Sequence, residues 1–386
     1  MTLGNHPAPP LITRPEELHE LVEILLEQTI VGVDTESNSL HAYREQVCLI
    51  QFSTVQADYL VDPLTLADLS ALEKLFASHD VEKVFHAAEY DLLCLSRDFG
   101  FRFANLFDTM IAARTLGYKS VGLAAILEHE FQIKIDKRPQ RADWGQRPLP
   151  RQLQDYARLD THYLIPIRKQ LAQALIKRDL LPLAEEDFRR LAQVQHNGNE
   201  EESSSWWRVR GAYDLEPQQA AVLMELCRYR NKIAQSANRP LFKVISDRAL
   251  TAIAQASPRS LEELKGLPGV TSYIIERHGR GLLQSVRRGL EGEPLHPPRS
   301  PRPDFRFTER LEALRQWRKD TALRMGVMSD VVLPRDLMHA IAHRNPTCQE
   351  ELAAVMHSAP WRLERFGTAI LSAITSVSQV ASAPPH

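Results

Sequence analysis

At 386 residues, with 44% apolar and 25% charged side chains, the chain is too long for one ordinary core and has the composition of a globular protein of about two or three domains. No apolar run approaches the roughly 20 residues of a membrane span, and the N-terminal MTLGNHPAPPLITRPEELHEL lacks a basic segment followed by an apolar one, so neither membrane insertion nor secretion is expected. The net charge of −2 hides an asymmetry: residues 1–204 carry 21 Lys+Arg against 31 Asp+Glu, a balance of −10, and residues 205–386 carry 26 against 18, a balance of +8.

In chain order, IVGVDTES, QVCLIQFST and DYLVD are β-rich segments separated by short turns and predict an antiparallel meander. LTLADLSALEKLFAS predicts a helix, VEKVFHAA a strand and EYDLLCLSRDF a further helix. FANLFDT is a short strand leading into the helix MIAARTLG, and one long helix is expected from about Pro150 to Lys177. A meander followed by βαβ units implies a mixed sheet with helices packed on it. Polar QHNGNEEESSSWW (195–207) and proline-rich EGEPLHPPRSPRPDF (291–305) read as linkers, and VSQVASAPPH as a frayed tail.

Beyond the first linker the pattern is helical and repeats. Residues 226–286 align without gaps to 314–374 at an offset of 88, with Leu226, Arg230, Ala252, Ile253, Ala254 and Gly279 recurring as Leu314, Arg318, Ala340, Ile341, Ala342 and Gly367. Tyr229 answers Trp317, and their recurrence at one position favours packing over base stacking. A basic back half suits a polyanion, although a solvated surface can have the same composition. Cys48, Cys94, Cys227 and Cys348 lie far apart with no C-x-x-C pair, which argues against disulfides or zinc and fits a reducing cytoplasm.

Three places carry chemistry. In VGVDTESN, Asp34 and Glu36 share one face of a strand, where like charges raise each other's pKa unless a positive partner intervenes. A strand running into solvent and half of a metal site both fit. In VFHAAEYDLLCL, Asp91 lies just inside a helix after a strand, where the helix dipole alone would favour it, and Glu89 and Asp98 are candidates of the same kind. In QLQDYARLDTHYL, Tyr156 and Asp160 stand at i and i+4 beside an apolar stripe of Leu153, Ala157 and Leu164. A carboxylate against a core needs a partner, either a divalent cation or an arginine such as Arg158 or Arg151.

Asp-x-Glu, a helix-start Asp and Tyr-x-x-x-Asp, in that order, resemble the tyrosine branch of the DEDD exonuclease superfamily. VDTES, FHAAEYDLL, LFDTMIAARTLG, DKRPQRADWGQRPL and YARLDTHYL resemble the ribonuclease D family in order across residues 12–190, and the repeated units resemble HRDC domains, the second more divergent. The resemblance implies a ribonuclease H-like α/β exonuclease domain, a mixed sheet flanked by helices, followed by two small all-α HRDC-like domains. The expected boundaries are 1–195 for the exonuclease domain, 196–209 for a linker, 210–290 for the first helical domain, 291–304 for a Pro-rich linker, 305–378 for the second helical domain and 379–386 for a tail.

The resemblance further implies a 3′→5′ exoribonuclease, a hydrolase using two divalent ions, Mg²⁺ or Mn²⁺, to trim the 3′ ends of structured small RNAs such as tRNA precursors and release nucleoside 5′-monophosphates. Asp34 would bridge both ions, Glu36 and Asp160 would hold the nucleophile-side ion, and Asp91 the other, largely through water. Tyr156 would orient the attacking water, and His86 would touch the terminal nucleotide unless it is only a structural strand-end histidine. RNA is the expected partner, with no membrane and no obligate protein partner. A DNA 3′→5′ exonuclease of the helicase-associated type and a non-catalytic RNA-binding protein are the alternatives. A fragment ending at Gln195 is expected to keep its fold, leaving residues 205–386 to hold the body of the RNA.

Overall fold

The computed structural model describes residues 9–134, 138–195, 205–296, 298 and 305–380, so most of the first expected linker, half of the second and most of the tail lie outside the described residues. The chain forms two compact units. One gathers the described parts of Met1–Ser37, Val47–His196 and Pro303–His386; the other gathers those of Asn38–Gln46 and Asn197–Arg302.

The first unit is built on a six-stranded mixed sheet. Its strands are β1 (Leu11–Ile12), β2 (Ile30–Ser37), β3 (Val47–Ser53), β4 (Asp58–Val61), β5 (Glu82–Phe85) and β6 (Leu106–Asp108), in the order β1-β4-β3-β2-β5-β6. The meander pairs β2, β3 and β4 antiparallel, and β5 and β6 add parallel to β2. This arrangement makes β2 an interior strand, and Val31 and Val33 are fully buried in it. The helices are α1 (Pro15–Leu26), α2 (Ala71–Ala77), α3 (Glu89–Phe99), α4 (Thr109–Thr115), α5 (Leu123–Phe131), α6 (Arg151–His162), α7 (Leu164–Lys177) and α8 (Leu181–Leu191).

Two helices differ from the sequence expectation. The single helix expected over Pro150–Lys177 is broken at Tyr163 into α6 and α7. Pro166 explains this, because its ring clashes with the carbonyl four residues back and it has no N–H to donate. The helix expected over LTLADLSALEKLFAS is confined to Ala71–Ala77. Upstream, the Asp68 carboxylate accepts hydrogen bonds from the Ser70 backbone N–H and hydroxyl, a local turn that competes with helix.

The repeat read from the sequence is a repeat in space. In the second unit lie α9 (Pro217–Ser236), α10 (Leu241–Val244), α11 (Asp247–Ala256), α12 (Leu261–Leu264) and α13 (Ser272–Glu291). In the first unit lie α14 (Phe305–Met325), α15 (Ser329–Val332), α16 (Arg335–Arg344), α17 (Gln349–Val355) and α18 (Pro360–Val380). Equivalent side chains do equivalent work. Arg230 donates to the Ile245 carbonyl at 3.1 Å, as Arg318 does to that of Leu333 at 3.0 Å. Tyr229 meets His278 edge-on, as Trp317 meets Phe366, so both aromatics pack. A Cβ at Gly279 would lie 2.6 Å from Leu261, and one at Gly367 would lie 2.9 Å from Gln349, so each recurring glycine admits the short helix facing it. Within the second unit, Tyr43 joins residues 38–46 to α9 through a 2.8 Å bond from its hydroxyl to Asn231.

The second repeat packs on the sheet-bearing domain through a buried ion pair. Arg362 of α18 and Glu186 of α8 are both 0% exposed and 2.5 Å apart, and Arg362 also donates to Asp187 at 2.8 Å and to the Val331 carbonyl at 2.7 Å. Glu186 in turn accepts from the Trp361 backbone N–H at 2.7 Å. Around it Arg114 pairs with Asp330, and Arg190 with Asp336 at 2.5 Å. A fragment ending at Gln195, expected to keep its fold, would lose the helix that covers α8 and leave Glu186 without its guanidinium. Among the described residues no helix is long and apolar enough to cross a membrane. Replacing Arg362 by Ala leaves a buried carboxylate unpaired and should destabilise this unit by about 3–5 kcal/mol. Urea unfolding of the full chain measures this; an unchanged first transition would show that the pair is dispensable.

Candidate active site

On β2, alternation sends Asp34 and Glu36 to one face, and the antiparallel register sets them opposite Gln51 and Leu49 of β3. Helix α6 lies across β2, β3 and β4 on that face, bringing Tyr156 and Asp160 to the same place. Close approach depends on Gly32, where a Cβ would meet the Thr161 carbonyl at 2.9 Å and the Leu164 Cβ at 3.3 Å. Ser53 and Thr161 pin α6 to β3 by a 2.6 Å hydroxyl–hydroxyl bond. The result is a pocket of about 410 Å³ lined by Asp34, Thr35, Glu36, His86, Gln140, Tyr156 and Asp160, with Gly122, Leu123 and Ala124 at the start of α5.

Asp91 stands slightly apart. It is buried at the start of α3, and its carboxylate accepts a hydrogen bond from the Thr35 hydroxyl on the strand between Asp34 and Glu36. The turn that delivers it is held by Asp108, which accepts from the backbone N–H groups of Ala87 at 3.2 Å, Ala88 at 2.7 Å, Met110 at 2.7 Å and Ile111 at 3.0 Å. Ala87 adopts φ 63°, an unfavourable conformation for a residue with a Cβ, and these bonds hold it there. His86, just before it, places Nδ1 2.9 Å from the Thr109 hydroxyl oxygen.

The electrostatics follow from burial and crowding. Burial raises Asp34 well above the usual carboxylate range, and Asp91, Asp160 and Glu36 push it further. Glu36 is raised by burial and then by Asp160 and Asp91. Asp160 is pushed up to about 7 by burial although the Tyr156 hydroxyl donates to it, and Asp91 to about 7 by burial although Thr35 donates to it. The Tyr156 phenol is raised by burial and then by Asp160, Glu36 and Asp34, with Gln140 bonding to it in the opposite sense.

The structure thus brings together Asp34, Glu36, Tyr156, Asp160 and His86, with Asp91 one hydrogen bond behind Thr35. Sequence reasoning missed Thr35, Gln140 and Gln51. Gln140 lies in the DKRPQRADWGQRPL block, but no spacing rule linked it to Tyr156. The Gln51 amide is fully buried opposite Asp34 and has no hydrogen-bond partner among the described residues. Also among the described residues, no three His, Cys, Asp or Glu side chains form a set that could hold a metal ion as they stand. The donor chemistry nevertheless suits a hard divalent cation: all-oxygen ligands, four carboxylates, and mutual repulsion that a cation would relieve.

Stability should record this repulsion. Carboxylates raised in the folded state contribute stability that is fully present below about pH 4 and lost as pH rises through about 7. Mg²⁺ or Mn²⁺ should therefore raise the melting temperature at pH 8 by about 2 °C or more and do little at pH 5. Equal shifts at both pH values in thermal scans would rule out carboxylate ligation.

Comparison with known proteins agrees with the geometry. Residues 9–176 match the 3′-5′ exonuclease family, and residues 219–286 and 307–374 each match the HRDC domain. Ribonuclease D of Nitrobacter hamburgensis is 30% identical over 369 residues, covering 94% of this chain and 94% of that protein. The exosome complex exonuclease RRP6 of Saccharomyces cerevisiae is 31% identical over 289 residues, covering 71% of this chain. The chain spans only 39% of that yeast protein's length. Among solved structures, Escherichia coli RNase D superposes with a TM-score of 0.70 at 25% identity, covering 95% of this chain and 99% of that one. With a 3′-5′ exonuclease match over the sheet-bearing domain, two HRDC matches on the helical repeats and near-complete coverage of a 30% identical relative, the chain belongs to the ribonuclease D family.

Proposed function

We propose that this chain is a metal-dependent 3′→5′ exoribonuclease that removes nucleoside 5′-monophosphates from the 3′ ends of structured small RNAs, tRNA precursors foremost. The observation that carries this reading is the convergence of Asp34, Glu36, Tyr156 and Asp160 on one pocket, with Asp91 held behind Thr35. The family's relatives support RNA as the substrate, two of them being named ribonuclease D and an exosome exonuclease. The free state of Cys48, Cys94, Cys227 and Cys348 supports work in a reducing cytoplasm.

In this reading Asp34, Glu36, Asp91 and Asp160 hold two divalent ions, Mg²⁺ or Mn²⁺. The ions supply positive charge against the scissile phosphate and the departing 3′ oxygen. Asp34 sits centrally, since the charges of Asp91, Asp160 and Glu36 all reach it. Tyr156, tied by hydrogen bonds to Asp160 and Gln140, keeps its proton and orients the attacking water. The expected metal affinity of the carboxylates rises with pH because protons compete for the same oxygens.

Asp34→Asn keeps the shape and removes the central charge, so turnover should fall below a few per cent of wild type while RNA binding is nearly unchanged. Tyr156→Phe should slow turnover by more than about threefold, roughly 0.6 kcal/mol of barrier, with little change in melting temperature. Both are read with a 3′-extended tRNA transcript and its DNA counterpart, purified protein and Mg²⁺ or Mn²⁺. Cleavage by Asp34→Asn at the wild-type rate sinks the mechanism, and preference for the DNA strand favours the deoxyribonuclease alternative.

A further inference from the structure

His86 lines the pocket through a chain of hydrogen bonds that fixes which of its nitrogens carries a proton. The Thr109 hydroxyl has one proton, and it is donated to the Phe85 carbonyl at 3.0 Å. The same oxygen lies 2.9 Å from His86 Nδ1 and can then only accept, so Nδ1 bears the N–H. Burial lowers the pKa of the imidazole, with Asp108 opposing, so the ring is neutral near pH 7. A neutral ring protonated at Nδ1 presents Nε2 as a bare acceptor.

From this geometry we infer that His86 reads the ribose 2′-hydroxyl of the terminal nucleotide through Nε2. The inference rests on the exoribonuclease reading and deepens it by naming what selects RNA. Phosphate oxygens are acceptors and gain nothing from a second acceptor. Base amines vary from one nucleotide to the next, and an enzyme that removes every nucleotide in turn cannot depend on them. Sugar hydroxyls are the donors present at every 3′ end. The pocket's carboxylates are charged acceptors and take one hydroxyl more strongly than a neutral nitrogen does. The imidazole is left for the neighbouring hydroxyl, which only ribose has.

The test uses the full chain and three short RNA strands that differ only in the last sugar: ribose, 2′-deoxyribose and 3′-deoxyribose. Wild-type kcat/KM should fall about five- to tenfold on the 2′-deoxy end, the effect of one lost hydrogen bond. In His86→Ala that ratio should collapse to near one, and His86→Gln, which retains an acceptor oxygen, should partly restore it. Because each enzyme is compared with itself, a general loss from disturbing Thr109 cancels. An undiminished 2′-deoxy penalty in His86→Ala, or a penalty that His86 imposes only on the 3′-deoxy end, overturns the assignment. Failure of the wild type to shorten any strand overturns the exoribonuclease reading itself.

Discussion

Mutual repulsion among buried carboxylates is the constraint around which the sheet-bearing domain is arranged. Asp34, Glu36 and Asp160 resist ionisation first because they are desolvated and then because other acids of the cluster face them, and Asp91 because it is buried and lies beside Asp108. Such a cluster disperses unless the backbone beneath it is held from several sides. The interior position of β2, the Gly32 contact that seats α6, the Ser53–Thr161 bond and the four N–H groups gathered by Asp108 all hold it. The proposed cations would relieve the strain that these contacts withstand.

The two helical repeats share a fold but not a situation. Arg362 has no counterpart in sequence in the first repeat, where the position 88 residues earlier is Ile274. In α18 that arginine is what reaches Glu186 on α8, and in α13 the isoleucine packs into the core of its own repeat. Arg362 is thus one difference through which the second copy joins the domain bearing the candidate site, and the divided charge of the chain does not map onto two independent halves.

Much of this was legible in the sequence because it follows from period. Alternation put Asp34 and Glu36 on one face, i, i+4 spacing put Tyr156 beside Asp160, and a constant offset exposed the repeat. Asp91 was harder, since a helix-start acid has an ordinary electrostatic explanation and its link to the cluster runs through Thr35, which the pairing of Asp34 with Glu36 passes over. Gln140, Gln51 and the Glu186–Arg362 pair obey no local period. Their partners are brought to them by tertiary packing, which spacing rules do not see. The break at Tyr163 was legible, because Pro166 forbids a continuous helix, yet the apolar stripe running through it masked the signal.

The state of Tyr156 shows what the cluster does to a neutral neighbour. A phenol already weakly acidic is pushed further from ionisation by burial and by three carboxylates, so at neutral pH it is a donor. Its proton goes to Asp160, and that bond in turn lowers the pKa of Asp160. The pair thus shares out one problem: the hydroxyl keeps its proton so that the carboxylate can lose its own. A group in that condition orients a water molecule by hydrogen bonding, and it becomes a base only if positive charge arrives beside it. Placement of the hydroxyl, more than its acidity, is what α6 and Gly32 secure.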